Sequence, residues 1–208
     1  MGFTLELGAK APDFRLPGVD GREHSLASFG KAKALIVVFT CNHCPAAIGS
    51  QDRMIALARE YKARGVEMVA VNSNELTHHP DDSFEHMKVR AREKAFPFPY
   101  LRDEEQTAAL AYGALRTPHF YVFDAERRLR YTGRLDDNPY DAAKATRSDL
   151  RNALDAILAG RKPPVELTNP LGCNVKWRNK DAHWMPPEAC DLVPPPAEKK
   201  AQGADRGA

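Results

Sequence analysis

Residues 37–51 read VVFTCNHCPAAIGSQ: an apolar run breaks off into two cysteines three positions apart, with Asn42 and His43 between them and Pro45 after. The run belongs to ALIVVFT (34–40), short, β-branched and flanked by charged or turn-rich sequence, which predicts a central strand covered on both faces. The stretch that follows, from Pro45 to Gly65, carries Met54, Leu57, Ala58 and Tyr61 at i, i+3, i+4 and i+7, the stripe of an amphipathic helix that Gly65 can end. VEMVAVN (66–72) is again a buried strand. Strand, helix, strand in this order is a βαβ unit, so the two strands are expected parallel with a right-handed crossover.

Further along, Asp81 or Asp82 is placed to cap a helix reaching about Ala95, and a shorter helix is expected from Glu104 to Gly113. TPHFYVFDAERRLRYTGRL (117–135) holds two β-rich runs around a polar turn and predicts an antiparallel hairpin. Leu150, Ala153, Leu154, Ile157 and Leu158 share one face of a last helix. Upstream, PDFRLPGVDGREHSL (12–26) is a hairpin signal, because Asp20-Gly21 supplies the positive φ such a turn needs. The organisation expected is one α/β domain over 1–160, an extension over 161–185 packed on it through Val165, Leu167, Val175 and Trp177, and a Pro-rich, unstructured tail over 186–208.

A chain of 208 residues that is 43% hydrophobic can bury one sizeable core. Its net charge of +2, with both signs interspersed, gives no basic footprint for nucleic acid or an anionic membrane. The first residues lack a signal-peptide pattern and no run of eighteen apolar residues occurs, so a cytoplasmic location is expected. Four cysteines are too few for a disulfide scaffold, and in a reducing compartment a close pair is more often catalytic or metal-binding. A C-x-x-C at a strand-to-helix junction puts Cys41 at or just before the helix N-terminus and Cys44 in its first turn, within disulfide reach. The helix dipole, and His43 if protonated, favour a thiolate at Cys41.

FTCNHC at the end of a strand, the preceding hairpin, Thr117-Pro118 before a second hairpin and a last amphipathic helix together resemble the thioredoxin-like superfamily, in its peroxiredoxin-like, redoxin-type branch, over roughly residues 9–160. The resemblance implies a three-layer α/β/α fold with a mixed central sheet, an N-terminal β-hairpin and a helical insertion between strands. It also implies that Cys41 attacks, Cys44 resolves, and a cis Thr117-Pro118 shapes the groove where substrate backbone docks. Thr40 stands where the family usually has Trp, and residues 34–40 lack the acid that many members bury near the second cysteine. Glu75 and His119 are the candidates for that proton-accepting role, while the Asn42-His43 filling resembles that of oxidising members.

The function expected is a thiol-disulfide oxidoreductase of reductase or isomerase type, acting on protein or small-molecule disulfides and re-reduced by a thioredoxin- or glutathione-type donor. No organic cofactor or metal is expected, and no Gly-rich dinucleotide fingerprint occurs. A peroxiredoxin-like peroxidase, and hence an antioxidant role, is the nearest alternative; its Pro-x-x-x-Thr/Ser-x-x-Cys motif fails at Val37 and Cys41. Metal delivery is another, with Cys41, Cys44 and His119 converging on a soft ion such as Cu(I). Cys173, in TNPLGCNVKW (168–177), is a candidate third redox thiol on a flap folding back over the site. His78 and His79 read as a solvated loop.

Overall fold

The protein is described here from a computed structural model covering residues 4–178 and 192–193. Most of the Pro-rich tail, with Cys190, lies outside the described residues. The chain opens with the expected hairpin, β1 (Arg15–Pro17) and β2 (Glu23–Ser25), turned by Gly21 at φ 79°. The βαβ unit follows: β3 (Ala34–Phe39), α1 (Pro45–Lys62) and β4 (Val66–Asn72), with the strands parallel and Val37 opposite Val69. Helix α2 (Phe84–Glu93) comes next. Its cap is Ser83, whose hydroxyl accepts from the His86 amide, so neither Asp81 nor Asp82 plays that part.

The expected helical insertion contains a strand, β5 (Tyr100–Arg102), paired parallel to β4 before α3 (Thr107–Tyr112). Three residues between two prolines and an acidic run carry too little periodicity to be read as a strand. Then come β6 (Arg116–Thr117), β7 (His119–Phe123), β8 (Leu129–Gly133), α4 (Asp149–Leu158) and β9 (Cys173–Asn174). The central sheet runs β5-β4-β3-β7-β8, parallel across β3, β4 and β5 and antiparallel across β3, β7 and β8.

Both faces of this sheet are covered, which is why β3 is apolar at every position. Ile36 and Val38 point into a core with Met54 and Tyr61 of α1, Met87 of α2 and Leu150 and Leu154 of α4. Leu35, Val37 and Phe39 point the other way, toward Phe14, Tyr112 of α3, Val175 and Trp177. Each such side chain withdrawn from water contributes about 1.5–3 kcal/mol, so β3, packed on both sides, is the mechanical centre of the molecule. The segment after α4 crosses the second face, but Val175 and Trp177 alone of the four expected anchors are buried; Leu167 is half-buried and Val165 is 42% exposed. Among the described residues no helix is long and apolar enough to cross a membrane.

Candidate active site

Strand β3 delivers the cysteine pair. The Thr40 amide still bonds the Val71 carbonyl, and the chain then leaves the sheet into a loop that ends where Pro45 begins α1. Cys44 is therefore the helix cap and Cys41 lies three residues before it, which shifts the helix-end field from the sulfur expected to feel it, Cys41, to Cys44. A hydrogen bond from Cys41, reinforced by Cys173 and the Ala47 amide, outweighs burial and pulls the Cys44 thiol down to about 4. Burial, the same contact seen from the other side, and the charge of Asp82 push Cys41 up. Cys41 keeps a sliver of surface, 6% exposed against 0% for Cys44.

Thr117-Pro118 is cis, as the resemblance implies, and Thr117 touches both sulfurs. Its Oγ1 lies 3.3 Å from Cys41 Sγ, and its carbonyl oxygen lies 3.1 Å from Cys44 Sγ, placed to accept the Cys44 proton when that thiol is protonated.

The buried carboxylate missing from residues 34–40 is supplied from elsewhere in the chain. Asp82, fully buried, accepts from the Asn42 amide at 2.6 Å, from His43 Nδ1 at 2.6 Å and from Asn74 Nδ2 at 2.8 Å. Burial works to raise its pKa, but these donors, His43 foremost, outweigh it and hold the carboxyl below its usual value. The ligating atoms of Cys41, His43 and Asp82 all lie within 4.8 Å of one another. Asn42 fixes the loop: its side chain donates to the Asp81 carbonyl and accepts from Tyr100, and its own carbonyl accepts from Arg90. His79, expected in a solvated loop, stacks on His43 with ring centroids 4.0 Å apart, whereas His78 is exposed.

Both sequence candidates for the acid-base group are corrected. Glu75 turns its carboxylate onto its own loop, accepting from the Thr77 amide at 2.7 Å and pairing with His78. His119, the residue after the cis-proline, is fully buried. The Leu115 amide faces its Nδ1, so Nε2 carries the proton and donates to Thr132 Oγ1 at 3.0 Å. Burial, helped by Arg116, lowers its pKa to about 3. With both ring nitrogens engaged it is not a ligand, so the set Cys41, Cys44 and His119 is not assembled. The cluster that does form, Cys41, His43 and Asp82, has both carboxylate oxygens already bonded to protein donors, which suits proton handling better than metal binding.

Asp82 escaped the sequence reading because proximity to Cys41 is created by folding; forty-one positions separate them. Its only signal was an acidic residue in the loop that follows the carboxyl end of β4, the edge where sites of open α/β sheets collect.

Cys173 is brought to the pair. It packs against Cys41, Cys44, Ala46 and Ala47, and its amide lies 3.4 Å from Cys44 Sγ. Beside it, a cleft of about 510 Å³ runs past Arg116, Tyr140, Asn169 and Gly172.

With this geometry in view, comparison with known proteins is decisive for the family: the Redoxin family model matches residues 6–154. The chain belongs to the Redoxin family. Among this redoxin's relatives is the thiol-disulfide oxidoreductase ResA of Geobacillus thermodenitrificans, 27% identical over 156 residues, 74% of this chain and 79% of that one. An uncharacterized conserved protein of Geobacillus kaustophilus is similar in structure, with a TM-score of 0.80 and 42% identity over 85% of this chain and 94% of that one. A thiol:disulfide interchange protein of the thioredoxin family from Chlorobium tepidum shares the fold, with a TM-score of 0.57 and 22% identity over 74% of this chain and 99% of its own.

Proposed function

We propose that this thiol-disulfide oxidoreductase works as a reductase or isomerase through the Cys41/Cys44 pair. The observation that carries the reading is the contact of both sulfurs with Thr117 beside the cis-proline, one bound to its hydroxyl and one to its carbonyl. The redoxin family and the ResA relatives support the same chemistry. Starting from the dithiol, Cys41, the less buried residue of the pair by surface, attacks a substrate disulfide as its thiolate; one substrate sulfur is held on Cys41 and the other leaves as a thiol, taking up the proton Cys41 gave up. Cys44 then attacks Cys41, closing the Cys41–Cys44 disulfide and releasing the second thiol, so two electrons pass to the substrate. His43, oriented by Asp82, stores and returns the proton beside Cys41. A thioredoxin- or glutathione-type donor restores the dithiol, a direction suited to the cytoplasmic location expected from the sequence.

Because β9 already pairs with Thr117, the edge where an extended substrate would lie is covered. The substrates are therefore a narrow set of disulfides entering from the cleft at Arg116 and Tyr140, and insulin reduction is expected to be far slower than by a minimal thioredoxin. The deciding experiment is titration in glutathione buffers spanning about −270 to −120 mV, with alkylation and mass mapping of free thiols. Reversible interconversion of Cys41 and Cys44 is expected; a pair that stays reduced throughout overturns the reading.

A further inference from the structure

The strand covering the docking edge carries a sulfur of its own. Strand β9 pairs antiparallel with β6, Cys173 opposite Thr117. Arg116 Nη1 holds the Gly172 carbonyl at 2.9 Å, and the Val175 amide bonds the Leu115 carbonyl at 3.1 Å. Further along, the Lys176 amide donates to Asn74 and its carbonyl accepts from Gln106. Position 172 admits only glycine: an added Cβ would lie 2.0 Å from the Thr117 carbonyl oxygen. The sequence is thus shaped to lay Cys173 onto the pair at the place where a substrate cysteine would lie.

Of the two sulfurs of the pair, Cys44 is the one this strand meets: the Cys173 amide lies 3.4 Å from Cys44 Sγ, and Cys173 packs on the cluster that Cys41 and Cys44 form with Ala46 and Ala47.

We propose that Cys173 is a third exchange sulfur that opens the Cys41–Cys44 disulfide at Cys44, so that the oxidised protein interconverts between a Cys41–Cys44 and a Cys44–Cys173 disulfide. The inference rests on the exchange chemistry proposed above. In this step the Cys173 sulfur attacks Cys44 Sγ, the Cys44–Cys173 bond forms, the Cys41–Cys44 bond breaks, and Cys41 leaves as a thiolate that takes up the proton given up by Cys173. The protein neither gains nor loses electrons. In the reduced state Cys173 is held up to about 11 by burial and by Cys44; once Cys44 is in a disulfide its charge is gone, while Lys176 and Arg116 still favour the Cys173 thiolate. The second isomer pins β9 across the docking edge and leaves Cys41 free, an internal substrate that shields the oxidised site until a reductant arrives.

The test uses the full chain with Cys190→Ser, so that three cysteines remain, oxidised by glutathione disulfide, quenched in acid, alkylated, digested and mapped by mass spectrometry. Both linkages are expected, with Cys41 alkylated whenever Cys44 is joined to Cys173. Adding Cys41→Ser leaves Cys44 to attack glutathione disulfide and Cys173 to displace glutathione. The Cys44–Cys173 peptide is then expected in at least about ten-fold excess over the Cys44–glutathione adduct at about 1 mM glutathione, since a held neighbour outcompetes a millimolar one. Gly172→Val, which forces β9 off Thr117, should lower that excess to near unity while Cys41 and Cys44 still pair in the protein that retains Cys41. Persistent glutathione on Cys44 with Cys173 alkylated in the Cys41→Ser protein overturns the inference, as does undiminished linkage in Gly172→Val. If Cys41–Cys44 forms reversibly while Cys173 stays alkylatable, this inference alone fails; if Cys41–Cys44 never forms, the exchange reading itself fails.

Discussion

His119 makes the stability of the docking edge depend on pH in a calculable way. Buried and neutral, with Nδ1 facing the Leu115 amide and Nε2 donating to Thr132, it has a folded pKa of about 3, against about 6.5 in an unfolded chain. The folded value is the lower one, so below about pH 6.5 the unfolded state takes up a proton that the folded state refuses, and stability is lost as pH falls from there toward 3. Between about pH 7.5 and about pH 5 this linkage removes about 2 kcal/mol, and by about pH 4 about 3 kcal/mol. His119→Gln keeps a polar side chain of similar length but cannot titrate. Urea unfolding followed by circular dichroism at both pH values should show the variant less stable at pH 7.5, by about 1–3 kcal/mol for its disturbed hydrogen bonds, yet losing about 2 kcal/mol less than the parent on acidification. Equal losses in the two proteins would mean that His119 is protonated, or solvated, in the folded state, and would refute the reasoning.

Other perturbations test the remaining parts of the site and core. Asp82→Asn removes a charge that holds Cys41 up, so Cys41 alkylation in the reduced protein should move to lower pH, while resolution of a mixed disulfide slows about 10²-fold for want of the anchored proton store; an unchanged alkylation profile would separate Asp82 from the cysteine. Ile36→Ala empties a site packed from β3 into the core shared with α1 and α4, and should cost about 2–5 kcal/mol in chemical denaturation. An added Cβ at Gly49 would meet the Pro139 carbonyl oxygen at 2.4 Å, so Gly49→Ala should displace the loop lining the cleft and raise KM more than it lowers kcat. An effect on kcat alone would argue that substrate does not enter there.

Much of the fold was legible because it is written in local pattern. The mostly apolar, β-branched runs at 34–40 and 66–72 read as buried strands, and the stripe through Met54, Leu57 and Tyr61 predicted the face that α1 buries. Strand β5 was missed because an edge strand of three residues draws its structure from pairing with β4 rather than from its own sequence. Asp82 was read as a cap because an acid before a helix has that local use; the structure gives the cap to Ser83 and turns Asp82 inward to three donors from two separate segments.

The sequence by itself determined the βαβ frame, the two hairpins and the C-x-x-C at a strand end, since each depends on side-chain periodicity, turn residues and spacing within some twenty positions. Only the tertiary structure decided which groups surround the sulfurs: Asp82 and His43 together, His119 buried and bonded to Leu115 and Thr132 instead, and Cys173 seated on Cys44 by a strand more than a hundred positions away. Covalent neighbourhood fixes local conformation, but the proton affinity of a thiol depends on burial, charge and donors supplied through space, and those exist only once the chain has closed around them.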